Sequence, residues 1–136
     1  MAKETKHVVV KWAHDLQFEG GEPGGPKIVI DGTNKDAPGP MLQLLVALAA
    51  CTGADVVSML EKMRIDLTGY RMEVRGTRAE EDPRRYLTIH IDYYLTAPTL
   101  DETKARRAID LSLEKYCSVT YSLRLDQPIT YALHLG

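Results

Sequence analysis

Arginine is absent from the N-terminal part of this chain, where Arg64 is the first, and cysteine occurs only twice in 136 residues. Two cysteines at wide spacing, Cys51 and Cys117, exclude a disulfide framework, a zinc ribbon and a C-x-x-C redox motif. A basic excess is also lacking. Lys and Arg total 17 against 19 Asp and Glu, a net charge of −2, which argues against a nucleic-acid partner. No unbroken apolar run reaches the ~18 residues of a membrane span. The most apolar stretch, Met41 to Ala50, is interrupted by Gln43. The opening "MAKETKHVVV" lacks a signal-peptide pattern, so cytoplasmic residence is expected, where thiols stay reduced unless they cycle.

Further absences narrow the chemistry. There is no nucleophile elbow, P-loop or dinucleotide fingerprint. "GGEPGG" is glycine-rich, but no helix follows it, so it reads as a loop. His7, His14, His90 and His134 are scattered without metal-ligand spacing, and neither a metal nor a cofactor is expected. No repeat or linker divides the sequence, which predicts a single domain over 1–136.

What is present is a clear succession of elements. "HVVVKWA" (7–13), "LQFEG" (16–20) and "KIVID" (27–31) read as strands. "GTNKDAPGP" (32–40) reads as a loop. Pro40 to Arg64 carries the longest helix signal, with Pro40 suited to the first turn and Met41–Ala50 apolar nearly all round. Tyr70, Met72 and Val74 alternate with Arg71, Glu73 and Arg75. Leu87, Ile89, Ile91, Tyr93 and Leu95 alternate with Thr88, His90, Asp92 and Tyr94, so a long hairpin turns at "EEDPRR". Thr99 to Lys115 reads as a second helix, with Ser112 and Tyr116 continuing its buried stripe. "SVTYSLRLD" starts a short third helix and "PITYALHLG" a last strand. Strands precede a buried helix rather than alternate with helices, which predicts an α+β fold with antiparallel pairing. A helix apolar on all sides needs cover beyond one small domain, which points to a dimer.

Three residues draw chemical interest. Cys51 lies mid-helix in "LVALAACTGADVV", far from the helix N-terminus. It is either a small core hydrophobe, inert when buried, or a nucleophile that needs a cation brought from elsewhere. Cys117 stands in "LEKYCSVTY", where one helix stops and another begins. It is either a core residue behind Tyr116 or a cap whose neighbouring N–H groups favour a thiolate. Asp55 is one helical turn past Cys51 on the same face. It either meets solvent or an arginine as the helix leaves the core, or it fixes a cation or a substrate hydroxyl.

"DAPGPMLQLLVALAACTGADVVSMLEKMR", followed far downstream by "AIDLSLEKYCSVTYSL", resembles the OsmC/organic-hydroperoxide-resistance superfamily, and the order of elements matches along nearly the whole chain. The resemblance implies antiparallel sheets around a long buried central helix, an intertwined homodimer, and active sites at the subunit interface. It implies a thiol peroxidase acting on organic hydroperoxides or hydrogen peroxide. Cys51 would be the peroxidatic thiol and Cys117 the resolving one, with Asp55 as an accessory at most. A sulfenic acid on Cys51 would condense with Cys117 to a disulfide. A lipoamide- or thioredoxin-like dithiol would then restore both thiols. Two departures stand out. Met41 occupies the position of the family glutamate, ten before the first cysteine. No arginine of the N-terminal region is there to hold a thiolate; Lys11, Lys27, Lys35 and His14 are the main cations it offers. The alternatives are a protein that binds a small hydrophobic ligand at the dimer interface, with the cysteines as lining, and a thiol redox sensor without turnover.

Overall fold

The computed structural model describes residues 3–136. They fall into two compact units, one ending at Leu44 and one beginning at Leu45. In the first, β1 (Val9–His14), β2 (Gln17–Gly21) and β3 (Ile28–Asp31) form an antiparallel sheet in sequence order. Its register sets Val10 beside Gly20 and Ile28, and Trp12 beside Phe18 and Ile30. Neighbours across strands share a face, so one face is apolar while Lys11, Glu19 and Gln17 lie on the other. That apolar face is bare: Trp12 is 66% exposed and Ile28 58%.

Asp31 ends β3 and organises the loop that follows. Its carboxylate accepts from the Thr33 N–H (2.8 Å), the Thr33 hydroxyl (2.7 Å) and the Asp36 N–H (3.0 Å). These donors, the Asp36 and Thr33 amides foremost, pull its pKa down to about 2. The loop delivers the chain to α1 (Pro40–Lys62). Gln43 fastens the start of that helix by donating its side-chain amide to the carbonyls of Val29 and Pro38.

α1 runs on into the second unit, where Leu48, Thr52, Gly53, Val56 and Leu60 form its buried face. Leu42 and Val46 remain exposed. By length and hydropathy α1 also qualifies as a membrane span, a point missed by looking for unbroken apolar runs. The core helix of a soluble protein meets the same test. Here Thr52 and Asp55, in its second half, are hydrogen-bonded to other elements of the protein.

β4 (Gly69–Arg78) and β5 (Tyr86–Thr96) pair as the predicted hairpin. Ile89, Ile91, Tyr93 and Leu95 face inward, fully or almost fully buried. α2 (Glu102–Leu111) starts at Asp101, whose side chain caps the Lys104 N–H, and buries Ala105, Ala108 and Ile109. A π-helical turn (Ser112–Tyr116) and a short α3 (Ser118–Ser122) follow. β6 (Thr130–Leu135) then lies beside β5, but parallel to it. The expectation of wholly antiparallel sheets is corrected here. A chain that leaves one end of β5 and crosses back through helices re-enters the sheet in the same direction.

On the outer face of this sheet Asp92 joins all three strands. Arg75 of β4 donates to it at 2.6 Å and His134 of β6 lies 3.0 Å away, with His90 of β5 at 3.5 Å. The hydrogen bonds from His134 and Arg75 lower the Asp92 pKa to about 2. A depressed carboxylate stabilises the fold above its unfolded pKa of about 4. That contribution is lost as pH falls toward about 2. Asp92→Asn should therefore unfold more easily than wild type in denaturant near neutral pH, with the gap closing through this acid window. A gap independent of pH would contradict the assignment.

Candidate functional site

The two cysteines meet. Cys51 lies half-buried on α1 and Cys117 is fully buried, and Cys51 is near enough to raise the Cys117 pKa. What brings them together is the widened turn. In a continued α-helix Ser112 and Tyr116 would share a face, as the sequence suggested. Instead the Cys117 N–H bonds the Ser112 carbonyl five residues back, at 2.7 Å. The extra residue in the turn swings Tyr116 out to 50% exposure and turns Cys117 into the core. The chain then straightens at Cys117 (φ −71°, ψ 101°), which is the cap of α3.

Capping does not make this thiol acidic. Burial pushes the Cys117 pKa above the ordinary thiol range; the Thr120 hydroxyl and N–H pull it down, and the adjacent Cys51 pushes it up again. No cation figures among these influences. The thiolate expected from a capping position is thus overruled by desolvation. Met41, where a family glutamate would stand, is a half-buried residue in the first turn of α1.

Asp55 is one turn beyond Cys51 and does have a partner, though not an arginine. Its Oδ2 accepts from the Ser112 hydroxyl at 2.9 Å. Ser112 Oγ is in turn 2.8 Å from Thr52 Oγ1, which is 2.8 Å from the Tyr93 hydroxyl. Thr52, Ser112 and Tyr93 are completely buried. A row of three hydroxyls ending on a carboxylate therefore joins α1, β5 and the π-helical turn, with both cysteines as immediate neighbours of its members. Tyr93 is held well above the usual phenol range by burial, and negative charge on Cys117 pushes it further up. Asp55 itself opens on a cavity of about 370 Å³ lined also by Ser58, Met59, Lys62, Leu111 and Tyr116.

Sequence reasoning had Asp55 but not Thr52, Ser112 or Tyr93, the last two of which it placed on apolar faces. The signal was there: a hydroxyl on a buried stripe needs a partner, and the stripes of the second helix and of β5 each carried one. Of the histidines, His90 and His134 sit on the outer face of the second sheet, His90 with Nδ1 2.6 Å from the Thr130 hydroxyl. No group of three metal-ligating side chains occurs among the described residues.

A fold with this order of elements is that of the OsmC-like proteins. The family model described as OsmC-like protein matches residues 32–132, and the chain belongs to that family, some of whose members are organic hydroperoxide resistance proteins. Among its relatives, Protein YhfA of Escherichia coli K12 is 39% identical over 124 residues, 90% of this chain and 92% of that protein. The solved OsmC-like protein from Mycoplasma pneumoniae has a TM-score of 0.82 at 21% identity, covering 98% of this chain and 99% of that one. The organic hydroperoxide resistance protein OhrB of Bacillus subtilis has a TM-score of 0.60 at 17% identity, covering 98% of each. At those identities the two structures establish the shared fold.

Removing Cys51 leaves Cys117 as the single thiol, and burial continues to act on it. In Cys51→Ser the thiolate absorbance should rise with a midpoint above the ordinary ~8.5. A midpoint below about 8 would show that something other than burial controls this sulfur.

Proposed function

We propose that this protein is a thiol-dependent peroxidase that reduces organic hydroperoxides or hydrogen peroxide. The observation that carries the reading is a half-buried thiol on α1 near enough to a buried one after α2 to raise its pKa. Cys51 is the sulfur open to a small substrate. Its thiolate attacks the peroxide O–O bond, the alcohol or water leaves, and Cys51 becomes a sulfenic acid. Cys117 displaces the hydroxyl and closes a disulfide before the sulfenic acid is oxidised further. A dithiol of the lipoamide or thioredoxin type then attacks the disulfide and regenerates both thiols. This cycle requires a reducing compartment, which the cytoplasm supplies.

The working form in this reading is a homodimer. One face of the first sheet presents Val10, Trp12, Phe18 and Ile28 with no covering layer, and α1 leaves Leu42 and Val46 bare. A large exposed apolar patch marks an interaction site, and a second copy of the chain offers the matching surface.

Wild type, Cys51→Ser and Cys117→Ser should be treated with one equivalent of cumene hydroperoxide and mapped by mass spectrometry. Wild type should lose both thiols as one intramolecular disulfide. Cys117→Ser should stop at an oxidised Cys51, and Cys51→Ser should react no faster than free cysteine. A Cys51 that stays reduced in excess hydroperoxide would refute the reading and favour a ligand-binding protein whose cysteines are lining.

A further inference from the structure

The turn that carries Cys117 is fastened on three sides. Its backbone is closed by the Cys117 N–H, which donates to the Ser112 carbonyl at 2.7 Å. Its inner side is held at the Ser112 hydroxyl. A carboxylate can only accept, so Ser112 donates to Asp55 at 2.9 Å. Having given its single proton, Ser112 accepts from Thr52 at 2.8 Å, and Thr52 accepts from Tyr93 at 2.8 Å. On the outer side the Tyr121 hydroxyl of α3 donates to the Glu114 carbonyl, one of the end carbonyls for which a helix has no partner of its own.

Hydrophobicity alone would settle this turn the other way. Tyr116 has more carbon to bury than Cys117, and in a continued α-helix it would follow Ser112 by one turn on the same face. The structure leaves Tyr116 50% exposed and gives the interior to Cys117. One extra residue in the turn makes that difference. The residue at which the turn begins is also the one whose hydroxyl is fixed in the interior. Thr52 and Asp55, both on α1, hold its oxygen from two directions. They thereby fix the residue that opens the turn and whose carbonyl accepts the bond that closes it.

We propose that Asp55 and Thr52 are positioning residues for the resolving thiol: they grip the Ser112 hydroxyl and through it hold the π-helical turn that keeps Cys117, rather than Tyr116, in the core. Asp55 serves as a hydrogen-bond acceptor, and its charge is not what the reaction uses. Releasing the grip lets the turn relax to the α-helical register, in which Tyr116 takes the buried place and Cys117 turns out of it. The inference rests on the thiol-pair reading. The step it serves is closure of the disulfide: the S–S bond forms as the Cys51 S–O bond breaks, and the departing hydroxide and the Cys117 proton make one water.

Full-length wild type, Ser112→Ala, Asp55→Ala and Asp55→Asn are compared in two measurements. In the first, reduced protein is alkylated with iodoacetamide and the labelled cysteine is mapped by mass spectrometry over time. Wild type and Asp55→Asn should label at Cys51 while Cys117 stays protected. Ser112→Ala and Asp55→Ala should label Cys117 at least about tenfold faster, the scale of one orphaned hydrogen bond. That rate should not change with low denaturant, which marks a local change in the turn rather than global unfolding. In the second, one equivalent of cumene hydroperoxide is added, the sulfenic acid is trapped with dimedone and closure is followed by quench. All four should oxidise Cys51. Ser112→Ala and Asp55→Ala should close the disulfide about 100-fold more slowly, the effect of a misplacement on the order of 1 Å. Asp55→Asn, whose amide oxygen still accepts from Ser112, should restore closure. Ser112→Ala that keeps Cys117 protected and closes at the wild-type rate overturns the proposal. So does Asp55→Asn that closes as slowly as Asp55→Ala, since the charge would then be what matters. If the alanine variants do not fold, amide hydrogen exchange in wild type decides: the Cys117 N–H should exchange as slowly as the amides of Ala105, Ala108 and Ile109 in α2, and exchange at the rate of an open loop overturns the grip. Wild type that forms no disulfide brings down the thiol-pair reading and with it the resolving role of Cys117, but not the grip on the turn, which the alkylation pattern reads by itself.

Discussion

Ser112 is the point at which this structure is held together. Its hydroxyl donates to Asp55 and receives from Thr52, tying the turn after α2 to α1. Its carbonyl takes the Cys117 N–H and closes the π-helical turn. Thr52 extends the tie to Tyr93 on β5. Thr52, Ser112 and Tyr93 are fully buried, so their bonds are costly to leave unmade, on the order of 1–3 kcal/mol per orphaned group. The contact between Cys51 and Cys117 depends on that arrangement. An ordinary α-helical turn would point Tyr116 inward and leave Cys117 on another face.

Most of the secondary structure was legible in the sequence because its signals are local. Alternation in Ile89, Ile91, Tyr93 and Leu95 located β5. The apolar run after Pro40 located α1, and the break near Tyr116 was visible as a junction. What was not legible depends on distant partners. Nothing in "SLEKYC" distinguishes a π-helical turn from an α-helical one, since the choice is made by Ser112 bonding to Thr52 and Asp55. Likewise the parallel approach of β6 is set by the path of α2 and the turns behind it, not by "TYALHL" itself.

The candidate site divides in the same way. The cysteine pair was suggested by a family resemblance and not by spacing, and Cys51 is near enough to Cys117 to raise its pKa. Asp55 was noticed because a carboxylate in an apolar helix is conspicuous. Thr52, Ser112 and Tyr93 were overlooked because each carries enough carbon to pass as core. Their hydroxyls reveal themselves only when three separate elements bring them into one row. Burial also settled an open choice at Cys117: a helix-capping position suggested an acidic thiol, and desolvation produces the opposite.

That last point gives the account its internal tension and its economy. A buried, reluctant thiol is a poor attacking group toward peroxide but a suitable partner for a sulfenic acid already in contact with it. In the proposed cycle the half-buried Cys51 takes the first role by position. The central claim is that these two sulfurs behave as one redox couple. It is tested most directly by equilibrating the protein in thiol–disulfide buffers of graded potential and measuring the fraction oxidised. The account predicts a two-electron transition, about 30 mV per tenfold change in ratio, whose oxidised species is a single intramolecular Cys51–Cys117 disulfide. Separate mixed disulfides on Cys51, with Cys117 remaining a free thiol at every potential, would contradict it.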